Sequence, residues 1–167
     1  GATVLNAERG FYSEPVSGLD FASLYPSIMI AHNLCITTLV RDPKYLNIEG
    51  VEYKEFKWDD NHYVFVQNRE GIIPGILKRL WSERKKYKNL MGDQKKGTLM
   101  HAIYNGQQLA IKLSMNSIYG VCGASKGYLS CQPIAECVTY TGRTMIAHSK
   151  KCAEEWYDGT EKCGFIK

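Results

Sequence analysis

Apolar residues recur at three- and four-residue intervals from residue 72 to 91: Ile73, Ile76, Leu77, Leu80, Trp81, Tyr87 and Leu90. That spacing predicts a helix with one apolar side, and Pro74 suits its first turn. A polar break at Gly92-Asp93-Gln94 leads into a second helical pattern from Thr98 to Tyr119, where Asn105 and Gly106 weaken the middle and favour a bend. Two helices joined by a few polar residues are expected to fold back antiparallel. A third helical pattern, with Ile134, Val138, Met145, Ile146 and Ala153, runs from Pro133 to Trp156 and breaks at Gly159-Thr160.

The rest reads as extended or irregular. Residues 1–24 predict extended segments around a turn at Glu14-Pro15, with Thr3-Val4-Leu5 as a short apolar run. The segment Val16-Ser17-Gly18-Leu19 predicts a strand that delivers Asp20 to a tight turn, with Tyr25 at that turn. A helix is then expected from Pro26 through Leu34. Ile36–Val40 and His62–Val66 have β-type composition. Between them, residues 41–61 predict a polar loop with one hairpin, formed by Val51-Glu52-Tyr53 and Phe56-Lys57-Trp58. Glycines 120, 123 and 127 mark a loop, and Gly164–Lys167 reads as the opening of another strand. Strands and helices in separate runs make this an α+β pattern, with no internal repeat.

A chain of 167 residues is one ordinary domain or a piece of a larger one, and its 44% hydrophobic content suffices for a core. No run of 18 apolar residues is present, so a membrane partner is not expected. The opening Gly-Ala-Thr-Val-Leu-Asn lacks the basic-then-apolar pattern of a signal peptide. Cys35, Cys122, Cys131, Cys137, Cys152 and Cys163 have no zinc-type spacing, and their apolar surroundings predict reduced, partly buried thiols in an intracellular protein. His32, His62, His101 and His148 likewise have no metal spacing and read as structural or surface residues. Charge is localised: eight basic and two acidic residues lie between Lys78 and Lys96, so +6 sits there and −2 on the remainder of a chain of net charge +4. A basic element on a slightly acidic body suits a polyanionic partner, although such runs are commonly just solvated helix faces.

The candidate chemistry gathers around these elements. Asp20 is the one carboxylate that closes an apolar run. Arg84 and Lys88 are four apart, and Lys112, Asn116 and Tyr119 are spaced by four and three, so each set shares a helix face. Folded antiparallel, the two helices can turn three cations and an amide into one groove, a clamp suited to a triphosphate. Each residue alone has a plainer reading: Asp20 as a cap or turn residue, Tyr25 as a packing aromatic, Lys112 as a snorkelling side chain, Asn116-Ser117 as a helix-end pair.

Order and spacing together favour the sharper reading. Asp20-Phe21-Ala22-Ser23-Leu24-Tyr25-Pro26-Ser27 resembles motif A of the family B DNA polymerases, and Lys112-Leu113-Ser114-Met115-Asn116-Ser117-Ile118-Tyr119-Gly120 resembles motif B. Within that family the chain is most similar to polymerases of large double-stranded DNA viruses and the eukaryotic delta type. Thr139–Arg143 also resembles a palm segment of the family, without a catalytic role for Arg143.

The resemblance implies template-directed DNA synthesis, with deoxynucleotides transferred from dNTPs to a primer 3′-hydroxyl in replication. It implies a palm sheet with packed helices, residues 1–66 and 126–167, interrupted by a two-helix fingers hairpin at 67–125. Asp20 and the Phe21 carbonyl would hold two Mg²⁺ ions. Ser23 and the backbone N–H groups of Leu24 and Tyr25 would meet the β- and γ-phosphates, with Arg84, Lys88 and Lys112 as the cationic clamp. Asn116, which also belongs to the nucleotide site, and Tyr119 would line the nascent base pair. The Tyr25 ring would exclude a ribose 2′-hydroxyl as a steric gate. The implied partners are primer–template DNA, dNTPs and a processivity factor, and the implied compartment is the host nucleus or a viral replication site.

Two-metal chemistry needs a second carboxylate, which the family supplies from a later Tyr-Gly-Asp-Thr-Asp-Ser hairpin. None of Asp42, Asp59, Asp60, Asp93 and Asp158 has such a setting, and the opening strand at Gly164–Lys167 is where that hairpin is expected to begin. Residues 1–167 by themselves are therefore expected not to polymerise. Two rivals remain at this stage: a non-catalytic nucleic-acid-binding module and an inactive polymerase remnant.

Overall fold

The computed structural model describes residues 3–6 and 9–156. Four helices pack around a small antiparallel sheet: α1 Leu24–Ala31, β1 Leu39–Val40, β2 Tyr53–Trp58, β3 Asn61–Val66, α2 Ile72–Gly92, α3 Leu99–Cys122 and α4 Gln132–Trp156. The α+β class expected from the sequence is borne out. The sheet order is β1-β3-β2, with Leu39 opposite Phe65 and Tyr53 opposite Val66.

The three long helices lie close to their expected ranges, because each carries an apolar side of three- and four-residue spacing. α3 is one continuous element through Asn105 and Gly106. Arg84 of α2 faces Gln108 of α3, and three residues on, Tyr87 faces Tyr104, four residues back. The two helices therefore run antiparallel.

Four sequence expectations need correction. The run Val16–Leu19 forms no strand; it is exposed and pairs with nothing among the described residues, and a strand without a ladder leaves its backbone groups to water. The helix after it starts at Leu24, not Pro26, and ends at Ala31. Tyr25 thus sits inside the first helical turn, and Pro26 falls where a missing N–H costs no helical bond. Val51–Trp58 does not fold into a hairpin on itself: Tyr53–Trp58 is one strand, and its hairpin is with β3. Asp59 and Asp60 make the two-residue turn, Asp59 at φ 45°, in the left-handed region that aspartate tolerates. Of Ile36–Val40, only Leu39 and Val40 are strand. The breaks and strand expected at 159–167, with Asp158 and Cys163, lie outside the described residues.

The core is formed by Ile28 and Met29 of α1, Phe56 and Phe65 of the sheet, Ile73 and Leu77 of α2, Met115 of α3, and Ile134 and Val138 of α4. Between Leu77 and Met115 only Gln108 is buried, so the outer part of the α2–α3 hairpin extends beyond the core. Cys35, Cys122, Cys131 and Cys137 are free, buried thiols, and Cys152 is free and exposed. Burial pushes the thiols of Cys122 and Cys137 up to about 11 and about 12. No helix among the described residues is long and apolar enough to cross a membrane.

The hairpin is anchored at Asn33, just past the end of α1. Its backbone is left-handed at φ 50°, a conformation asparagine tolerates better than most residues. Its side-chain amide donates to the carbonyls of Val66 and Arg69, both at 2.7 Å, and its Oδ1 accepts from the Gly71 N–H at 2.8 Å. One side chain thereby joins α1, the end of β3 and the start of α2. The approach is so close that a Cβ on Gly71 would lie 2.6 Å from the Cβ of Cys35.

Candidate functional site

The turn that follows Asp20 is held from within. The Ser27 hydroxyl donates to the carbonyls of Ala22 and Ser23 at 2.9 and 3.0 Å, closing the chain over the start of α1. Ser23 is the N-cap residue, yet its backbone is left-handed (φ 49°, ψ 57°) and its side chain makes no capping bond. The first N–H groups of α1, on Leu24 and Tyr25, are thus left without a side-chain cap. Such a helix start attracts anions.

Opposite that start stands Arg84 of α2, half-buried, with Nη1 3.5 Å from the Ser23 hydroxyl and Nε donating to Gln108 Oε1 at 3.3 Å. Beside it, the rings of Tyr25 and Tyr119 lie 4.4 Å apart, tilted by 48°. Burial, then the neighbouring Tyr25, raises the Tyr119 phenol above its ordinary value. Gly142 of α4 lies beneath, where an added Cβ would be 3.6 Å from the Tyr25 ring and 3.7 Å from Leu24. Tyr25 therefore has packing neighbours on two sides.

The structure brings together Ser23 with Arg84 and Tyr25 with Tyr119. It does not join the other expected members to them by hydrogen bonds or ion pairs. Lys88, Lys112 and Asn116 are exposed, and no hydrogen bond or ion pair joins their side chains to other described residues. They are nonetheless placed along the same hairpin. Lys112 lies one turn from Gln108, Lys88 one turn from Arg84 on the opposite side of that level, so the two ammonium-bearing positions are roughly 12 Å apart along the hairpin axis. Asp20 is exposed and Phe21 partly so, immediately before the turn. Among the described residues no three His, Cys, Asp or Glu side chains gather as a metal site. Asp20 is a hard oxygen donor of the type that divalent cations take, but one carboxylate is half of a two-ion donor set.

Two residues important to this geometry went unread in the sequence. Ser27 was legible only as part of a motif, although its four-residue spacing from Ser23 is that of a hydroxyl bonding back to a carbonyl. Gln108 precedes Lys112 by four and shares its face, a signal overlooked because glutamine on a helix is commonly solvated.

An uncapped helix start, preceded by the carboxylate of Asp20 and faced by Arg84 of the basic α2–α3 hairpin, is the arrangement at this end of α1. Residues 1–165 match the model of DNA polymerase family B, and the chain belongs to that family. It is 46% identical over 159 residues to the DNA polymerase delta catalytic subunit of Caenorhabditis elegans, covering 94% of this chain and 14% of that protein. It is 42% identical over 169 residues to a DNA polymerase of Paramecium bursaria Chlorella virus NY2A, covering 96% and 18%. The delta catalytic subunit of Candida albicans is 45% identical over 161 residues. The chain thus spans less than a fifth of the length of these relatives. The family resemblance read from the sequence is borne out, with both delta-type and viral relatives.

Proposed function

We propose that this chain is the nucleotide-receiving part of a DNA-directed DNA polymerase, acting within a longer chain that copies a primed template during replication. The observation that carries this reading is the Arg84 guanidinium set against Ser23 at the uncapped start of α1. A dNTP laid there would meet the N–H groups of Leu24 and Tyr25, the Ser23 hydroxyl and Arg84, with Lys88 and Lys112 adding charge along the hairpin. In this reading α2 and α3 are the fingers, residues 67–125, and the sheet with α1 and α4 is palm, residues 1–66 and 126–167.

Asp20, with the Phe21 carbonyl beside it, would hold the metal, and Mg²⁺ suits a carboxylate shared with substrate phosphates. Bound ions of this kind lower the pKa of a primer 3′-hydroxyl and offset charge at the attacked phosphate. Asn116 and Tyr119 line the space for the new base pair. Tyr25, braced by Tyr119 and backed by α4, is stiff enough to reject a 2′-hydroxyl by contact. A processivity factor and a nuclear or viral replication compartment belong to the same reading, and free thiols suit a reducing compartment.

In a complete polymerase carrying this segment, Arg84→Ala should raise the KM for dNTP on the order of ten-fold or more. Asp20→Asn should abolish primer extension while leaving primer–template binding intact. DNA binding indifferent to dNTP, Mg²⁺ and Asp20 would instead favour a non-catalytic nucleic-acid-binding module.

A further inference from the structure

Gln108 stands out on α3. Its neighbours toward the hairpin tip are exposed or half-exposed, yet it is only 7% exposed, the one buried residue between Leu77 and Met115. A buried amide needs partners for both ends, and Gln108 has them. Arginine carries donors and no acceptor, so the guanidinium dictates which way the amide points: Oε1 toward Arg84 Nε at 3.3 Å. The amide nitrogen then donates to Asn105 Oδ1, one turn earlier on the same helix, at 3.0 Å. Asn105, Gln108 and Arg84 form a relay that crosses from α3 to α2 and ends at Ser23, where Nη1 lies 3.5 Å from the hydroxyl.

The nitrogen used matters. Occupying Nε turns the outer edge of the guanidinium toward the turn after Asp20, where Nη1 makes only a long contact, 3.5 Å, with the Ser23 hydroxyl. That edge can make two parallel bonds to a phosphate. A long arginine on an exposed helix otherwise samples many rotamers, as Lys88 and Lys112 are free to do.

We propose that Gln108 is a positioning residue for nucleotide binding: it holds Arg84 by Nε so that the outer edge of the guanidinium is presented to the triphosphate before the nucleotide arrives, with Asn105 as its brace. This rests on the triphosphate reading of Arg84 given above. It extends the binding machinery to two α3 residues that themselves touch no phosphate. Orientation set in advance is worth affinity because less freedom is lost on binding.

The test is a double-mutant cycle in a complete polymerase carrying this segment, with dNTP KM, kcat and primer–template affinity measured for each variant. Gln108→Leu keeps the bulk and the helix but removes the acceptor. It should raise the dNTP KM on the order of ten-fold, with kcat and primer–template affinity within about two-fold of wild type. In an Arg84→Ala background the same change should have almost no further effect, because its only route is through the guanidinium. Should Gln108→Leu fold poorly by thermal melt, Asn105→Ala leaves the buried amide in place and removes only its brace. It should give a smaller rise, about two- to five-fold, likewise lost without Arg84. An Arg84→Ala enzyme with wild-type dNTP KM overturns the triphosphate reading and this inference with it. An impaired Arg84→Ala enzyme beside wild-type-like Gln108→Leu, or effects that simply add, overturns the role of Gln108 alone.

Discussion

The two ends of α1 solve the same backbone problem in opposite ways. Ser23 before the helix and Asn33 after it are both left-handed, at φ 49° and 50°. At Asn33 the side chain is fully employed, with three bonds along the β3–α2 connection, and it is 7% exposed. At Ser23 the side chain caps nothing, and its one side-chain hydrogen-bond partner among the described residues is an arginine at the limit of bonding distance. A left-handed non-glycine residue costs about 1–2 kcal/mol. At Asn33 hydrogen bonding offsets that cost, whereas at Ser23 it stands open toward the surface. Strain offset by buried contacts is architecture. Strain at Ser23 instead lies beside the N–H groups of Leu24 and Tyr25, which the nucleotide site proposed above would use.

The sharpest way to break this contrast is at the anchored end. Asn33→Ala strips partners from two carbonyls and one N–H in a buried junction and puts a poorer residue in the left-handed region. A loss of about 3 kcal/mol or more is expected, read as a lowered denaturation midpoint. Asn33→Gly keeps the backbone and loses the bonds, so the difference between the two variants isolates the strain.

The second effect is functional. In a complete polymerase, Tyr25→Ala should admit ribonucleotides, raising the ratio of ribo- to deoxynucleotide incorporation on the order of a hundred-fold or more. Unchanged sugar discrimination would leave Tyr25 as a packing residue against Tyr119 and Gly142 and nothing more.

A third, smaller effect concerns pH. His32, beside Asn33, accepts from Lys54 Nζ at 2.9 Å through Nδ1, so its ring is neutral there. Burial, then the Lys54 charge, lowers its pKa below 6.5. A depressed histidine pKa means that the unfolded chain binds the proton first. Its contribution to stability is present above pH 6.5 and is lost as pH falls through the folded value. Thermal melts at pH 7.5 and 5 should show that loss, and Lys54→Gln, which removes the smaller cause, should reduce it.

Least of all should change at the other end. Ser23→Gly accepts φ 49° without cost and forfeits no capping bond, so stability should stay within about 1 kcal/mol of wild type. A larger loss would mean that the Ser23 hydroxyl is structural, and the contrast between the helix ends would fall.

How much of this was readable in advance differs by element. The helices at 72–92, 99–122 and 132–156 were legible because their periodic apolar faces pack on the core, and tertiary contact reinforced local preference. The strand at 53–58 was misread as two, because its pattern is ambiguous and its real partner, 61–66, lies beyond an Asp59-Asp60 turn that carries no glycine. The Val16–Leu19 strand failed for the converse reason: a β pattern states a willingness to pair and cannot supply the partner.

At the site, local spacing in the chain determined that Arg84 and Lys88 share a face, that Lys112 and Asn116 share another, and that Asp20 precedes a turn. Membership of the polymerase family was carried by the stretches Asp20–Ser27 and Lys112–Gly120. Only the tertiary structure decided that Arg84, rather than Lys88 or Lys112, reaches Ser23, that Tyr25 leans on Tyr119, and that Gln108 is buried and bonded to Arg84. The physical reason is register. A helix's own periodicity sets which residues face the same way, but which of them meets which across a hairpin depends on how two whole faces pack, and that is settled by the core far from the site.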